Sequence, residues 1–417
     1  MTTTASAQRR ITRLATLTAV HRAFHWLHLH QPQLRNWQLE LVRIPSPPFG
    51  ESARAQWFLE RFEQLGLTNI HLDDEGNALA ELVPGPYSLV PDPPPVVLLS
   101  AHLDTVFPID TPVEPIEQKD SPVIHAPGIC DNGAGLTGLL ALAAALRYAN
   151  ITPTIPILFA ANVGEEGEGD LRGMRHIFER GPYRNRIAAA IALEGSGTSA
   201  VVTRALGSLR FRVTITGPGG HSWTDRGTPN PVVLLSRAIT QIAALKIPDD
   251  PPTTINVGHI SGGTAINSIP ESATILLDIR STEPTQLVAT ATHVHQILDD
   301  VVTTQKTTNS PAKLHIEPIG NRPAATLPDD SPLLQTLRAV DRHLNLRTEQ
   351  RLGSTDANIP LSRNIPAIAI GAGGTCSGIH TLQEWYDPTN RETALRRILL
   401  TLLDTLQITA DYNMPPS

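Results

Sequence analysis

Uninterrupted runs of apolar residues alternate along the chain with segments in which apolar residues recur at helical spacing. The apolar runs comprise residues 96–101, 155–161, 187–193 and 367–370. Runs of this length are typical of strands that are buried on both faces of a parallel sheet. The helical patterns between them comprise residues 136–148 and 171–180. This alternation predicts an α/β domain with a doubly wound sheet.

The pattern changes between about residues 209 and 320, where polar and apolar residues alternate as in strands with one solvated face. The predicted elements are strand 210–216, helix 232–245, strands 253–260 and 273–279, helix 285–304 and strand 313–318. The order β-α-β-β-α-β is that of a ferredoxin-like unit. Because the first pattern resumes after about Pro332, we expect an α+β domain at 207–320, inserted into a discontinuous α/β domain formed by 1–206 and 321–417.

Composition and charge exclude several classes of protein. The 417 residues include 33 Lys and Arg against 40 Asp and Glu, and the net charge of -7 provides no global basic field for nucleic acid. Two cysteines, Cys130 and Cys376, exclude a disulfide framework, and no CxxC pair is present for a thiolate zinc site. Apolar runs are shorter than the ~20 residues that span a bilayer. We therefore expect a cytoplasmic protein without nucleic-acid or membrane partners.

Five segments carry imidazole or carboxylate side chains that are candidates for catalysis, and four of them follow a predicted buried strand. The first contains His102 and Asp104. Side chains two residues apart on a strand share a face, so Asp104 can orient the His102 imidazole and raise its basicity as a metal ligand. The alternative is a histidine and an aspartate that make ordinary turn hydrogen bonds.

The second segment, Gly128-Ile-Cys-Asp131-Asn-Gly-Ala-Gly135, opens a predicted helix. Its glycines allow close approach of the backbone, but their spacing matches neither phosphate-binding motif, and an acidic residue at the turn repels phosphate. Asp131 as a carboxylate that bridges two cations fits better. A plain Asp-Asn turn is the alternative.

The third segment places Glu165 and Glu166 on a glycine-rich loop after the run 155–161. Adjacent carboxylates there are unfavourable unless cations compensate their charge. One carboxylate can bind a metal while its neighbour accepts a proton from water. The alternative is a solvated acidic loop.

The last two segments complete the set. Glu194 closes the run 187–193, and His380 ends a glycine-rich loop that follows the run 367–370. Two histidines and three carboxylates, without thiolate, suit zinc, with manganese or cobalt as alternatives. Because open sheets bind ligands at the carboxyl ends of their strands, the order of these segments predicts a single site.

Taken together, these residues resemble the signature of the M20 family of co-catalytic zinc exopeptidases and deacylases. Three further segments match the family: 217–222 with His221, 263–270 with Asn267, and 277–281 with Arg280. The similarity extends from about Asn36 to Leu406. The family combines a zinc-exopeptidase catalytic domain with an inserted ferredoxin-like lid that often dimerises, which agrees with the domain organisation predicted above.

The resemblance implies a role for each residue. His102 and Glu194 would hold one zinc ion, Glu166 and His380 the other, and Asp131 would bridge them. Asp104 would orient His102, Glu165 would act as general base, and His221 would stabilise the oxyanion. Asn267 and Arg280 would bind substrate, although without the resemblance Arg280 is interpreted as an ordinary surface arginine at a strand end. The family also implies a cis peptide bond between Asp131 and Asn132.

The resemblance further implies a di-zinc exopeptidase that acts on short peptides and forms a homodimer through its lid. Segments 353–358 and 380–385 look closest to the dipeptidase and peptidase T branch. The peptidase T type has aspartate at the position of Glu194, so this chain differs from that type. An N-acyl-amino-acid deacylase is therefore the alternative. A third interpretation is a binding or assembly module without activity. The presence of Glu165 beside five potential ligands argues against it.

Overall fold

The computed structural model describes residues 4–85, 93–304 and 311–413 of the chain. These residues form two compact units, the first drawn from Met1–Arg204 and Thr326–Ser417 and the second from Ala205–Ala325. The first unit is α/β and the second is α+β, as the apolar patterns predict. Both cysteines are free thiols.

Helices and strands are numbered in chain order. The helices of the described residues are α1 Thr4–Ala15, α2 Thr18–Leu29, α3 Gln31–Val42, α4 Ser52–Gln64, α5 Gly133–Tyr148, α6 Arg172–Arg175, α7 Pro231–Ala243, α8 Pro284–Thr303, α9 Pro332–His343, α10 Asn358–Ser362 and α11 Arg391–Asn413. Among these described helices, none is long and apolar enough to cross a membrane.

The strands are β1 Thr68–Leu72, β2 Ala78–Leu82, β3 Val96–His102, β4 Ile116–Glu117, β5 Ile124–His125, β6 Ile157–Asn162, β7 Ile187–Leu193, β8 Ala200–Ala205, β9 Gly207–Thr216, β10 Gly220–His221, β11 Thr253–Gly262, β12 Ser268–Ile269, β13 Ser272–Ser281, β14 Lys313–Arg322, β15 Ala325–Thr326, β16 Glu349–Gly353, β17 Ala367–Ile370, β18 Thr375–Ser377 and β19 Trp385–Asp387.

The four predicted apolar runs form the centre of the main sheet of the first unit. The strand order is β1-β2-β6-β3-β7-β17-β8-β15, with β16 paired to β8. Strands β6, β3, β7 and β17 are parallel neighbours, and nearly all of their residues are buried. The antiparallel strands lie outside this centre. Because the central strands are parallel, their carboxyl ends meet at one edge of the sheet.

Helix α5 shows how tightly the first unit packs around that sheet. Every residue from Gly133 to Leu146 is buried, which matches a sequence that is apolar on all faces of the helix. Helices α2, α3 and α11 also pack against α5. The helix predicted at 171–180 differs from expectation: Leu171 has a left-handed backbone, α6 covers only four residues, and a π-helical turn, His176–Arg180, follows.

The second unit has the predicted β-α-β-β-α-β order. Its sheet is antiparallel, with strand order β11-β13-β9-β14. Alternate residues of β9 and β13, among them Val213, Ile215 and Ile275, join residues of α7 and α8 in one apolar core. Strand β14 continues to Arg322, past the end predicted from the sequence, because its pairing with β9 extends to Ser208.

Candidate metal centre

The carboxyl end of β3 places a fully buried histidine at the edge of the parallel sheet. The His102 Nδ1 atom lies 3.0 Å from the main-chain oxygen of Asp104 and 3.5 Å from its carboxylate Oδ1. Because both neighbours are oxygens, Nδ1 donates its proton, and Nε2 is the nitrogen that remains to bind a metal.

The first group of candidate ligands surrounds that nitrogen. The distance from His102 Nε2 to Asp131 Oδ1 is 3.2 Å, and the distance to Glu194 Oε1 is 3.4 Å. Both His102 Nε2 and Asp131 Oδ1 are buried without a hydrogen-bond partner in the described part of the chain. Unpartnered buried polar atoms are unfavourable, and a cation between them would satisfy both. The residues therefore fit a metal ion.

The second group shares Asp131 with the first. The His380 Nε2 atom lies 3.0 Å from Asp131 Oδ2 and 2.9 Å from Glu166 Oε1. The two oxygens of Asp131 thus face two different histidines, which is the arrangement of a bridging carboxylate. His380 has φ of 64°, a left-handed conformation that is uncommon for a residue with a side chain and that occurs at functional sites.

Burial and mutual repulsion shift the protonation of these carboxyl groups. Burial, followed by the charge of Asp131, raises the pKa of Glu166 to about 7. Burial also raises the pKa of Glu194. Burial would raise the pKa of Asp131 too, but the neighbouring imidazoles of His102 and His380 lower it. The hydrogen bond to Asp131 raises the pKa of His380 to about 9.

Asp104 anchors the loop that carries the paired glutamates. Its Oδ1 accepts a hydrogen bond from Glu165 N at 2.9 Å, and its Oδ2 accepts one from Glu166 N at 2.7 Å. Burial opposes ionisation of Asp104, but His102 and these two N–H groups lower its pKa. Asp104 therefore fixes both His102 and the Glu165–Glu166 loop, and the second contact was not predicted from the sequence.

The Asp131 loop is tied to the strand that carries Glu194. The Asp131–Asn132 peptide bond is cis, as predicted. Asn132 accepts hydrogen bonds from Gly135 N at 3.1 Å and Gly195 N at 3.0 Å, and donates one to Leu193 O at 2.9 Å. A Cβ atom on Gly135 would lie 2.0 Å from Asn132 Oδ1 and 2.6 Å from Leu193 O, so only glycine fits there.

Two buried carboxylates next to the centre were not identified as site residues from the sequence. The Glu384 carboxylate accepts hydrogen bonds from backbone N–H groups of the Asp131 loop. Asp356 Oδ2 accepts one from Asn162 Nδ2 at 2.8 Å, and burial raises the pKa of Asp356 to about 7. The one available signal was their position in the two segments that resemble the dipeptidase and peptidase T branch.

The remaining predicted residues belong to the second unit. His221, on β10, donates its backbone N–H to Asp225 Oδ2 at 2.6 Å, and its Nδ1 accepts a hydrogen bond from Trp223 N at 3.2 Å. Asn267 lies close to it, because its main-chain oxygen accepts a hydrogen bond from Ser222 N at 3.0 Å. Arg280, on β13, pairs with Asp278 at 2.7 Å. The structure thus brings His221 and Asn267 together within this unit and gives Arg280 an acidic partner.

Comparison with known proteins identifies the family. The model of Peptidase family M20/M25/M40 matches residues 98–405. The IAA-amino acid hydrolase ILR1-like 2 of Arabidopsis thaliana is 27% identical over 265 residues, which cover 60% of this chain and 57% of that protein. A probable carboxypeptidase of Talaromyces marneffei is 27% identical over 211 residues, which cover 45% of this chain and 46% of that protein. The chain thus spans about half the length of these two curated relatives.

A solved structure shows the same fold. The crystal structure of a tripeptidase from Staphylococcus aureus matches with a TM-score of 0.72 at 23% identity, covering 90% of this chain and 98% of that chain. The family model covers most of this chain, and the metal-ligating groups lie within its limits. The chain therefore belongs to Peptidase family M20/M25/M40.

Proposed function

We propose that the protein is a di-zinc exopeptidase that hydrolyses the amide bonds of dipeptides and tripeptides. The observation that carries this proposal is the position of Asp131, whose two carboxylate oxygens each face a different histidine. Each histidine also faces a second carboxylate, Glu194 for His102 and Glu166 for His380. This arrangement supports two cation sites that share one ligand.

In this proposal His102 and Glu194 would hold one Zn²⁺, Glu166 and His380 would hold the other, and Asp131 would be a ligand of both. When bound, two divalent ions would polarise the scissile carbonyl group and lower the pKa of the attacking water. The nitrogen and oxygen donors suit zinc, and cobalt or manganese could replace it.

Glu165 is the proposed general base. Its carboxylate accepts the proton of the attacking water and then returns it to the leaving amine nitrogen, so that no net proton is consumed. Its position supports this role: the side chain is buried, it directly precedes the candidate ligand Glu166, and Asp104 fixes its backbone N–H. Because the backbone is fixed and the side chain is buried, little conformational entropy is lost when the Glu165 carboxylate is positioned for catalysis.

The second unit supplies the proposed contacts to the substrate. Because His221 Nδ1 accepts a hydrogen bond from Trp223 N, the neutral ring keeps its proton on Nε2. That N–H can donate to the oxyanion that develops on the attacked carbonyl oxygen. The planar guanidinium of Arg280 suits a substrate carboxylate, with hydrogen bonds added by Asn267.

An N-acyl-amino-acid deacylase is the second candidate, because the residue that closes β7 is Glu194 and not aspartate. The names of two similar proteins differ in the same way: the Arabidopsis protein is named an IAA-amino acid hydrolase, and the Staphylococcus protein is named a tripeptidase. A binding module without activity is disfavoured because Glu165 and all five candidate ligands are present.

The first prediction concerns the substrate class. The zinc-loaded enzyme should hydrolyse dipeptides and tripeptides with a higher kcat/KM than N-acetyl amino acids. A chelator should abolish the activity, and added Zn²⁺ should restore it. Release of amino acids from both substrate panels, measured with metal content, checks this. Preference for N-acetyl amino acids would favour the deacylase, and turnover of neither panel by zinc-loaded protein would favour the binding module.

The second prediction concerns the base. Glu165→Gln should lower kcat by about 10²–10⁴-fold while the bound zinc stays unchanged, because the amide cannot accept the proton of water. Glu168→Gln is the matched control, since Glu168 is exposed on the same loop. Metal analysis and steady-state kinetics on both variants measure this. Wild-type turnover by Glu165→Gln would show that another group is the base.

The third prediction concerns the oxyanion donor. His221→Ala should lower kcat by about 10²–10³-fold and change KM little, because the hydrogen bond forms chiefly in the transition state. His315→Ala, an exposed histidine on β14 of the same unit, is the control. A rise in KM alone would instead assign His221 to ground-state binding of substrate.

The fourth prediction concerns assembly, for which we propose a homodimer formed through the second unit. Strand β11 is the edge of its sheet, and Ile260 on this strand is 55% exposed. An apolar edge strand is a natural surface for pairing with a second copy. Sedimentation velocity should give the mass of two chains, reduced to one by Ile260→Glu but not by Val288→Glu on α8. A wild-type monomer at all concentrations contradicts the proposal.

A further inference from the structure

Glu384 is a fully buried carboxylate that contacts the loop of Asp131 and not the candidate ligand atoms. Its Oε2 accepts a hydrogen bond from Gly128 N at 2.9 Å, and its Oε1 accepts two, from Cys130 N at 2.8 Å and Asp131 N at 3.0 Å. With an exposed fraction of 0%, this side chain cannot contact a substrate. Its influence on catalysis must therefore pass through the residues that it holds.

The carboxylate is unusual because backbone N–H groups provide its hydrogen bonds. Within the described chain, no arginine, lysine or histidine forms an ion pair with it. Burial raises the pKa of Glu384, and the three N–H donors oppose that effect. Burying a charge costs folding free energy. If the side chain at this position only had to hold the loop closed, a neutral hydrogen-bond acceptor would do so at lower cost.

The loop held by Glu384 determines where the Asp131 carboxylate lies. Asp131 donates its backbone N–H to Glu384, while its side-chain oxygens face His102 and His380. His380 and Glu384 belong to the same short segment, 380–385. The main-chain oxygen of Glu384 also accepts a hydrogen bond from Ala126 N at 3.2 Å. One residue thus joins the segment that carries His380 to the segment that carries Asp131.

We propose that Glu384 is a positioning residue of the metal centre, which fixes the distance between Asp131 and His380 so that both can bind the same cation. This inference rests on the proposed function, because it requires that these residues hold metal. The negative charge of Glu384, next to the Asp131 loop, also favours cations at the centre.

Conservative variants separate positioning from a general effect on folding. In Glu384→Gln one oxygen still accepts, but the amide NH₂ that replaces the other faces a backbone N–H and opposes it. In Glu384→Asp the charge remains, but the side chain is one methylene shorter and its oxygens move away from the loop. Glu114→Gln is the matched control, because the Glu114 side chain is 73% exposed and pairs with Arg43 at the surface.

The fifth prediction is measured on metal-free protein titrated with Zn²⁺ against a chromophoric chelator. Glu384→Gln should weaken zinc affinity by about 10–100-fold, as is typical when a partner of a metal ligand is lost. Glu384→Asp should weaken it less, and Glu114→Gln should leave it unchanged. At saturating zinc, kcat of Glu384→Gln should stay lowered with KM little changed. The visible spectrum of the cobalt-loaded variant should shift, because the ligand geometry differs.

The outcomes distinguish this inference from the proposed function. Wild-type protein that binds no metal would overturn both. Wild-type protein that binds two ions, with equal affinity and an equal cobalt spectrum in Glu384→Gln, would overturn the positioning role alone. Thermal unfolding of the metal-free variants completes the test. Loss of the cooperative transition in both Glu384→Gln and Glu384→Asp would show that Glu384 is required for folding, and would overturn its role as a positioning residue.

Discussion

The buried charge of Asp131 is the constraint on which the rest of the site depends. Its carboxylate lies between two imidazoles, and Glu166 and Glu194 face the same imidazoles. Burial raises the pKa of Glu166 and Glu194, and the charge of Asp131 raises it further. The imidazoles of His102 and His380 oppose this repulsion, and the imidazole and carboxylate groups of the cluster are ligands that divalent cations prefer.

Carboxylates outside the candidate ligand set hold the loops of the centre in place. Asp104 accepts hydrogen bonds from the backbone N–H groups of Glu165 and Glu166. Glu384 accepts hydrogen bonds from backbone N–H groups of the Asp131 loop. In both cases a buried acceptor binds consecutive donors of a loop without regular secondary structure. A hydrogen bond to an ionised group is stronger than one between neutral groups, so each anchor restrains its loop more than a neutral side chain would. The ligand geometry therefore depends on residues that contact no cation.

The strands and the candidate ligands were predictable because their signals are local. Four apolar runs became neighbouring parallel strands, and the alternating pattern of the second unit became an antiparallel sheet with helices. Glu384 and Asp356 were not identified, because their partners lie 253 and 194 residues away along the chain. Their positions in segments 353–358 and 380–385 indicated a resemblance but did not reveal these partners. The helix predicted at 171–180 was partly wrong because spacing alone does not reveal the left-handed backbone of Leu171.

The residues proposed for chemistry and those proposed for substrate recognition belong to different compact units of the chain. All five candidate ligands and Glu165 belong to the first unit, whereas His221, Asn267 and Arg280 belong to the second. Arg280 engages Asp278 through Nε, which leaves the two terminal amino groups of its guanidinium for a substrate carboxylate. Under the proposed function, a substrate carboxylate bound there would compete with Asp278 for one cation, so substitutions around this pair should change which amides are accepted. Such substitutions should leave the candidate metal centre unchanged, because none of its candidate ligands belongs to the second unit.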